Sequence, residues 1–166
     1  VDYGLTLKFP DSALITALLM VQFIAFPCAL LFNLLSKKIG VKQSVMTGII
    51  GYGIITFLAY FMSQMWHLYT LAVMVGLFQG GIQALSRSLY TRIIPKEKSA
   101  EFFGFYNMLG KFAAVIGPAM MGTITLLTGN IRYGIISILL LFILGGFFLL
   151  KVNIEEGSRM AREYLS

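Results

Sequence analysis

Residues 76–122, GLFQGGIQALSRSLYTRIIPKEKSAEFFGFYNMLGKFAAVIGPAMMG, set glutamines, an arginine, an asparagine and a lysine inside segments otherwise composed for lipid. Ionisable and amide groups are costly at membrane depth, so they line a pathway or hold a helix bundle together. Gly76, Gly80, Gln83 and Arg87 recur at steps of four, three and four, with Gln79 beside them, which puts them on one stripe of a helix. Gly104, Asn107, Lys111, Ala114 and Pro118 make a comparable stripe on the following helix. A face that mixes small and polar residues is the protein-facing side of a membrane helix, not its lipid side.

Depth separates the two cations. Arg87 lies five residues before Arg92 at the membrane edge, roughly 7–8 Å inside by helical rise, where an arginine can snorkel to the interface. Lys111 lies nine residues past Phe102, about 13–14 Å in and close to the midplane. Two roles are open to Lys111: a structural ion pair or hydrogen bond within the bundle, or binding of an anionic group of a substrate. All 7 acids lie outside the charge-free runs, so a carboxylate partner must come from Glu101 near the end, from further sequence, or from a substrate. Gln22, Gln79, Gln83 and Asn107 carry the same choice between interhelical hydrogen bonds and ligand contact. Gly117-Pro118 marks a break in the second stripe, whose freed carbonyls are satisfied by neighbours or by a ligand.

These residues need helices to hold them, and the composition supplies membrane helices. The chain is 58% hydrophobic and 12% charged, with a mean hydropathy of +0.83. Soluble domains carry about 25% charged residues, so this is an all-α, multi-span membrane protein. Runs at 12–36, 43–86 and 133–150 without formal charge, the second long enough for two spans of roughly 20 residues, and 102–131 interrupted only by Lys111, predict five helices near 12–36, 42–62, 67–91, 99–127 and 131–151, followed by a polar tail over 152–166. Pro10-Asp11-Ser12 opens the first helix, with Asp or Ser available to accept from its free N–H groups. Gly40 stops that helix, and Met62 to His67 forms the next turn. Gly48, Gly51 and Gly53 on the second helix permit a close backbone approach. The last helix has lipid-like side chains and reads as peripheral. The tail has an amphipathic look around Met160, Tyr164 and Leu165, so it either lies at the membrane surface or frays.

The cations orient the chain. Lys37, Lys38 and Lys42 sit in the first connector, Arg92, Lys96 and Lys98 in the third, and Lys151, Arg159 and Arg162 in the tail, while Lys8 and Arg132 stand on the other side. The positive-inside rule therefore predicts an external N-terminus and a cytoplasmic C-terminus in the cell membrane. The same mapping accounts for the net charge of +6 and argues against nucleic acid, whose footprint is a basic stripe with interleaved aromatics. Cys28 is the single cysteine, which rules out an internal disulfide and makes no metal site. His67 has no partner nearby in sequence and reads as an interfacial histidine beside Trp66 and Tyr69. No cofactor is expected. The chain begins without Met and with an outward end, so further helices are expected upstream.

The run GLFQGGIQALSRSLYTRIIPKEKSAEFFGFYNMLGKFAAVIGP resembles the C-terminal half of the major facilitator superfamily. Within it, the run is most similar to the branch of autophagy-related vacuolar amino-acid effluxers and their bacterial relatives. Gln-Gly-Gly-x-Gln-Ala-Leu-Ser-Arg at 79–87, Ile-Pro-Lys at 94–96, Glu-Phe-Phe-Gly-Phe-Tyr-Asn at 101–107, and Val21-Gln22-Phe23 with Ala25-Phe26-Pro27 carry the likeness. The resemblance implies about twelve helices in two halves, with a solute site between them. These five would then form most of the C-terminal six-helix bundle, with the N-terminal half as partner. It also implies a small-molecule substrate, with Lys111, Asn107, Gln83, Gln79 and Gln22 on the pathway and Arg87 and Lys38 at the cytoplasmic gate. The superfamily's connector commonly reads Gly-x-Leu-Ala-Asp-Arg-x-Gly-Arg-Arg. Residues 33–42 keep Lys38, Gly40 and Lys42 but have Asn33 for the glycine and Lys37 for the aspartate. The alternative function is a membrane scaffold or half-carrier acting through partner helices. No nucleophile–base pair, metal cluster or paired acids at one membrane face argues for an enzyme.

Overall fold

The computed structural model describes Leu5 and residues 7–163. Among the described residues six helices follow one another: α1 Asp11–Ile39, α2 Val41–Tyr60, α3 Met65–Ile93, α4 Ser99–Thr128, α5 Ile131–Lys151 and α6 Ile154–Glu163. The first five are long and apolar enough to cross a membrane, and no strand occurs among the described residues. The chain is an all-α membrane protein.

Helix ends follow local chemistry. α1 continues three residues past the expected 36, because Lys37 and Lys38 in its last turn complement the negative end of the helix dipole. Its first turn departs from expectation: Pro10 holds the cap position in extended backbone, and no side chain caps the free N–H groups. Gly40, at φ 89°, is the single residue between α1 and α2, a left-handed conformation that favours glycine. Gly129, at φ 67°, ends α4 by donating its N–H to the Thr125 carbonyl at 2.8 Å. Asn130 then starts α5 by accepting from the Arg132 N–H at 2.9 Å.

His67 is a cap and not simply an interfacial ring. The Gln64 side chain accepts from the His67 backbone, and His67 Nδ1 accepts from the Gln64 N–H at 3.2 Å, closing a reciprocal capping box at the start of α3. Trp66 Nε1 also donates to Gln64 Oε1. Arg132 reaches across from α5 and donates to the Met62 carbonyl at 3.3 Å, tying the two turns at this end together.

α1 and α3 cross with their backbones in contact. A Cβ on Gly80 would collide with the Ala25 carbonyl oxygen, and one on Gly76 would lie 3.0 Å from the Val21 carbonyl oxygen. This is small-residue packing of the kind membrane helices use in place of a hydrophobic driving force. The glycines of α2 act differently from expectation: Gly48 receives the side chain of Ile82 and Gly51 the ring of Phe78, so they admit side chains and not a backbone. Phe32, Val41, Val45, Leu85 and Leu89 make the buried core where α1, α2 and α3 meet, flanked by Leu149 of α5 and Ile154 of α6.

α5 is less peripheral than its side chains imply. It packs on α2, where Tyr52 stacks on Phe142 at 5.6 Å, and on α4, where Gly134 sits against the Met121 carbonyl and Thr125. The tail is a helix and does not fray over the described residues; Tyr164 and Leu165 lie outside them. Ile154, Gly157 and Ala161, spaced by three and four, form its packed face, with Gly157 against Ile93 and Ala161 buried. Asn153 caps α6 by accepting from the Glu156 N–H at 3.2 Å. Lys42 secures the α5–α6 junction, its Nζ donating to the Leu150 carbonyl at 2.9 Å and the Val152 carbonyl at 2.7 Å.

Candidate functional site

α4 differs from the other spans. None of its residues is buried, and Cβ atoms at Gly104, Gly110, Gly117 and Gly122 would meet nothing within 4 Å. It packs along α5 near Gly134 and meets α3 at an aromatic clasp close to its own start. There Tyr90 lies 5.6 Å from Phe103 and 4.9 Å from Tyr106, centroid to centroid, and its hydroxyl donates to the Phe102 carbonyl at 3.1 Å. Past that clasp the two helices carry the polar stripes.

The clasp sets their register. On α3, Tyr90, Arg87 and Gln83 follow at steps of three and four, so they continue one row. On α4, Phe103, Asn107 and Lys111 follow at steps of four. By helical rise Gln83 lies about 10 Å beyond Tyr90, and Lys111 about 7–12 Å beyond Tyr106 and Phe103. Counted along its own helix, each polar row therefore reaches a similar distance from the clasp.

Gln83, Arg87, Asn107 and Lys111 are exposed and Gln79 is half-buried, and none of the five makes a side-chain hydrogen bond or ion pair with the described residues. These residues therefore do not hold the bundle together among themselves. An ammonium and amides left open at membrane depth need a partner of complementary polarity, because hydrocarbon offers none. Lysine brings three donors, and the amides bring both donors and acceptors. Such a set can hold a carboxylate at the lysine while the amides bond the rest of a small polar solute.

The other two candidates stand elsewhere. Gln22 shares a shallow groove on α1 with Phe23 and Phe26, which are 78% and 75% exposed. Lys38 is exposed in the last turn of α1 without a hydrogen bond or ion pair to the described residues, as is the neighbouring Lys37. Sequence reading did not anticipate an open cleft of ≈ 400 Å³ lined by α1, α2, α3 and α5. Its walls are almost wholly apolar, Tyr52 and Thr56 bringing the hydroxyls, and none of the candidate pathway residues lines it. Among the described residues no group of three or more His, Cys, Asp or Glu is placed to hold a metal, and Cys28 is buried as a free thiol.

Five helices long and apolar enough to cross a membrane define a polytopic membrane protein. The sequence profile described as "Vacuole effluxer Atg22 like" matches residues 4–162, and the chain belongs to that family, a branch of the facilitator-type transporters. The chain is 35% identical over 162 residues to the "Uncharacterized MFS-type transporter YxiO" of Bacillus subtilis, covering 98% of this chain and 38% of that protein. It is 37% identical over 116 residues to "Autophagy-related protein 22" of Candida glabrata, covering 68% of this chain and 21% of that protein. The protein of the same name from Yarrowia lipolytica is 34% identical over 133 residues, 78% of this chain and 22% of its own length. The chain thus spans well under half the length of these relatives. No solved structure matches it significantly.

Proposed function

We propose that this chain is the C-terminal part of a longer carrier that moves a small solute across the membrane by rocking one half against the other. Lys111, Asn107, Gln83 and Gln79 line the solute pathway, and Arg87 near the membrane edge belongs to the gate. Gln22 and Lys38 join them only when the missing half closes over α1. The basic connectors face the cytoplasm and the start of the chain faces out, in the cell membrane. The solute is an amino acid, leaving the cell or a compartment. The family's description as "Vacuole effluxer Atg22 like" supports export, and a lysine beside amides suits a zwitterion whose carboxylate needs a cation.

The observation that carries this reading is Lys111: an exposed ammonium, unpaired among the described residues, near the middle of a helix with no buried residue. The test is transport by the full-length carrier in proteoliposomes across a panel of amino acids, with and without a proton gradient, for the wild type and for Lys111→Met. Wild-type transport of at least one amino acid and its collapse in Lys111→Met, at equal incorporation, are expected. Unchanged kinetics in the variant would remove Lys111 from the pathway, and no transport of any amino acid would remove the substrate class.

A further inference from the structure

We propose that the pocket between the end of α3 and α6 is a binding site for the phosphate head group of an anionic phospholipid. This cavity of ≈ 700 Å³ is separate from the α3–α4 face and is formed where the short amphipathic helix docks. Arg92, Lys96 and Arg162 line it from three places: the last turn of α3, the α3–α4 connector and the last turn of α6. None of the three is ion-paired among the described residues, and Glu155 is the lone acid on the wall. The neighbouring Arg159 is different, because it pairs with Glu163 at 3.6 Å and lies outside this lining.

Arg162 is held for the task. Its Nε donates to the Ser158 carbonyl at 3.2 Å and Nη2 to the Ser158 hydroxyl at 3.3 Å, so one edge of the guanidinium is fixed and Nη1 remains free to donate. A guanidinium oriented by its own helix loses less freedom when it meets a phosphate than a mobile one. Three converging cations against one carboxylate give the pocket an excess of positive charge that a phosphate would neutralise.

The shared chemistry is a phosphate, and the location selects the lipid as its carrier. The cations lie in the last turn of α3, just after it and on α6, beyond the ends of the spans where head groups meet water, and Lys37, Lys38 and Lys151 are likewise last-turn residues of their spans. Ile94, Ile154 and Ala161 supply an apolar floor to the same pocket. A phosphate that arrives with acyl chains uses both surfaces, whereas free phosphate uses only the cations. Occupancy would also pin α6 to the end of α3, so lipid composition would set how firmly the tail is docked.

The test uses the purified full-length protein in detergent, with binding followed by native mass spectrometry and by the thermal-unfolding midpoint. Phosphatidylglycerol, phosphatidylcholine and inorganic phosphate are titrated separately. Retention of phosphatidylglycerol over phosphatidylcholine is expected, with a rise in the midpoint that phosphate alone does not reproduce. The triple variant Arg92→Gln/Lys96→Gln/Arg162→Gln should bind phosphatidylglycerol roughly a hundredfold more weakly, three cations each worth about a factor of five near an anionic surface. Lys37→Gln/Lys151→Gln/Arg159→Gln removes the same formal charge on the same side and should retain the lipid. Equal loss in both triple variants would mean general attraction to the surface and overturn the site. A midpoint rise given equally by inorganic phosphate would overturn the lipid as carrier. If the triple variant does not fold, Arg162→Gln alone must weaken phosphatidylglycerol retention several-fold, and unchanged retention overturns the proposal.

Discussion

Replacing Gly80 with alanine tests the α1–α3 crossing that positions the polar row of α3. The new methyl would meet the Ala25 carbonyl oxygen and lie 3.2 Å from the Ala29 methyl. The obstacle is backbone, so no flexible side chain can yield and the two helices must separate. Gly145→Ala on α5 is the control, since a Cβ there meets nothing within 4 Å. Each change gains helix propensity of about 1 kcal/mol, and that gain cancels in the comparison. What remains is the overlap at Gly80, about 1–3 kcal/mol as for other overpacked sites. One kcal/mol moves the midpoint of a domain of this size by about 2–4 °C, so the two variants should differ by several degrees in thermal unfolding of the full-length protein in detergent. Gly145→Ala should match or exceed the wild type. Equal midpoints for the two variants would refute backbone contact at this crossing.

Two further substitutions probe the joints on either side of the candidate face. Lys42→Met keeps the aliphatic stem but loses both bonds to the Leu150 and Val152 carbonyls; it should cost about 1–3 kcal/mol and speed amide exchange over 152–163 while leaving 65–93 protected. Tyr90→Phe removes the bond to the Phe102 carbonyl and keeps the ring contacts, costing about 0.5–1.5 kcal/mol. Tyr90→Ala removes the clasp as well and should markedly accelerate exchange over 99–107, which Tyr90→Phe should not.

The spans were legible because their signals are local: runs nearly free of charge, the stop at Gly40, and cations in the last turns of α1, α3 and α5. The polar stripes were legible for the same reason, since a helical repeat assigns a face without any knowledge of neighbours. What joins the stripes was not. Tyr90 meets Phe103 and Tyr106 across a connector, and no spacing rule pairs them. Lys42 looked like one more orienting cation, because its carbonyl partners lie 108 and 110 residues away. α6 could have been found, since Ile154, Gly157 and Ala161 keep helical spacing after an Asn cap, but a short polar tail carries too little apolar surface to announce its docking site. His67 as a cap was available in Gln64-x-x-His67, a less familiar form of the serine–glutamate pattern. The openness of α4 had no local signal, because it is a property of which helices surround it.

The central claim is that Lys111 and its neighbours face a solute pathway. Cysteine accessibility measures this directly, in a full-length protein freed of native cysteines, including Cys28→Ala. Lys111→Cys, Asn107→Cys and Gln83→Cys are each treated with a membrane-impermeant thiol reagent beside Leu140→Cys, an exposed apolar position on α5. Labelling at 111, 107 and 83, slowed by a transported amino acid, with Leu140→Cys inert, is the predicted result. A position 111 as inert as position 140 would place Lys111 against lipid or packed protein and contradict the account.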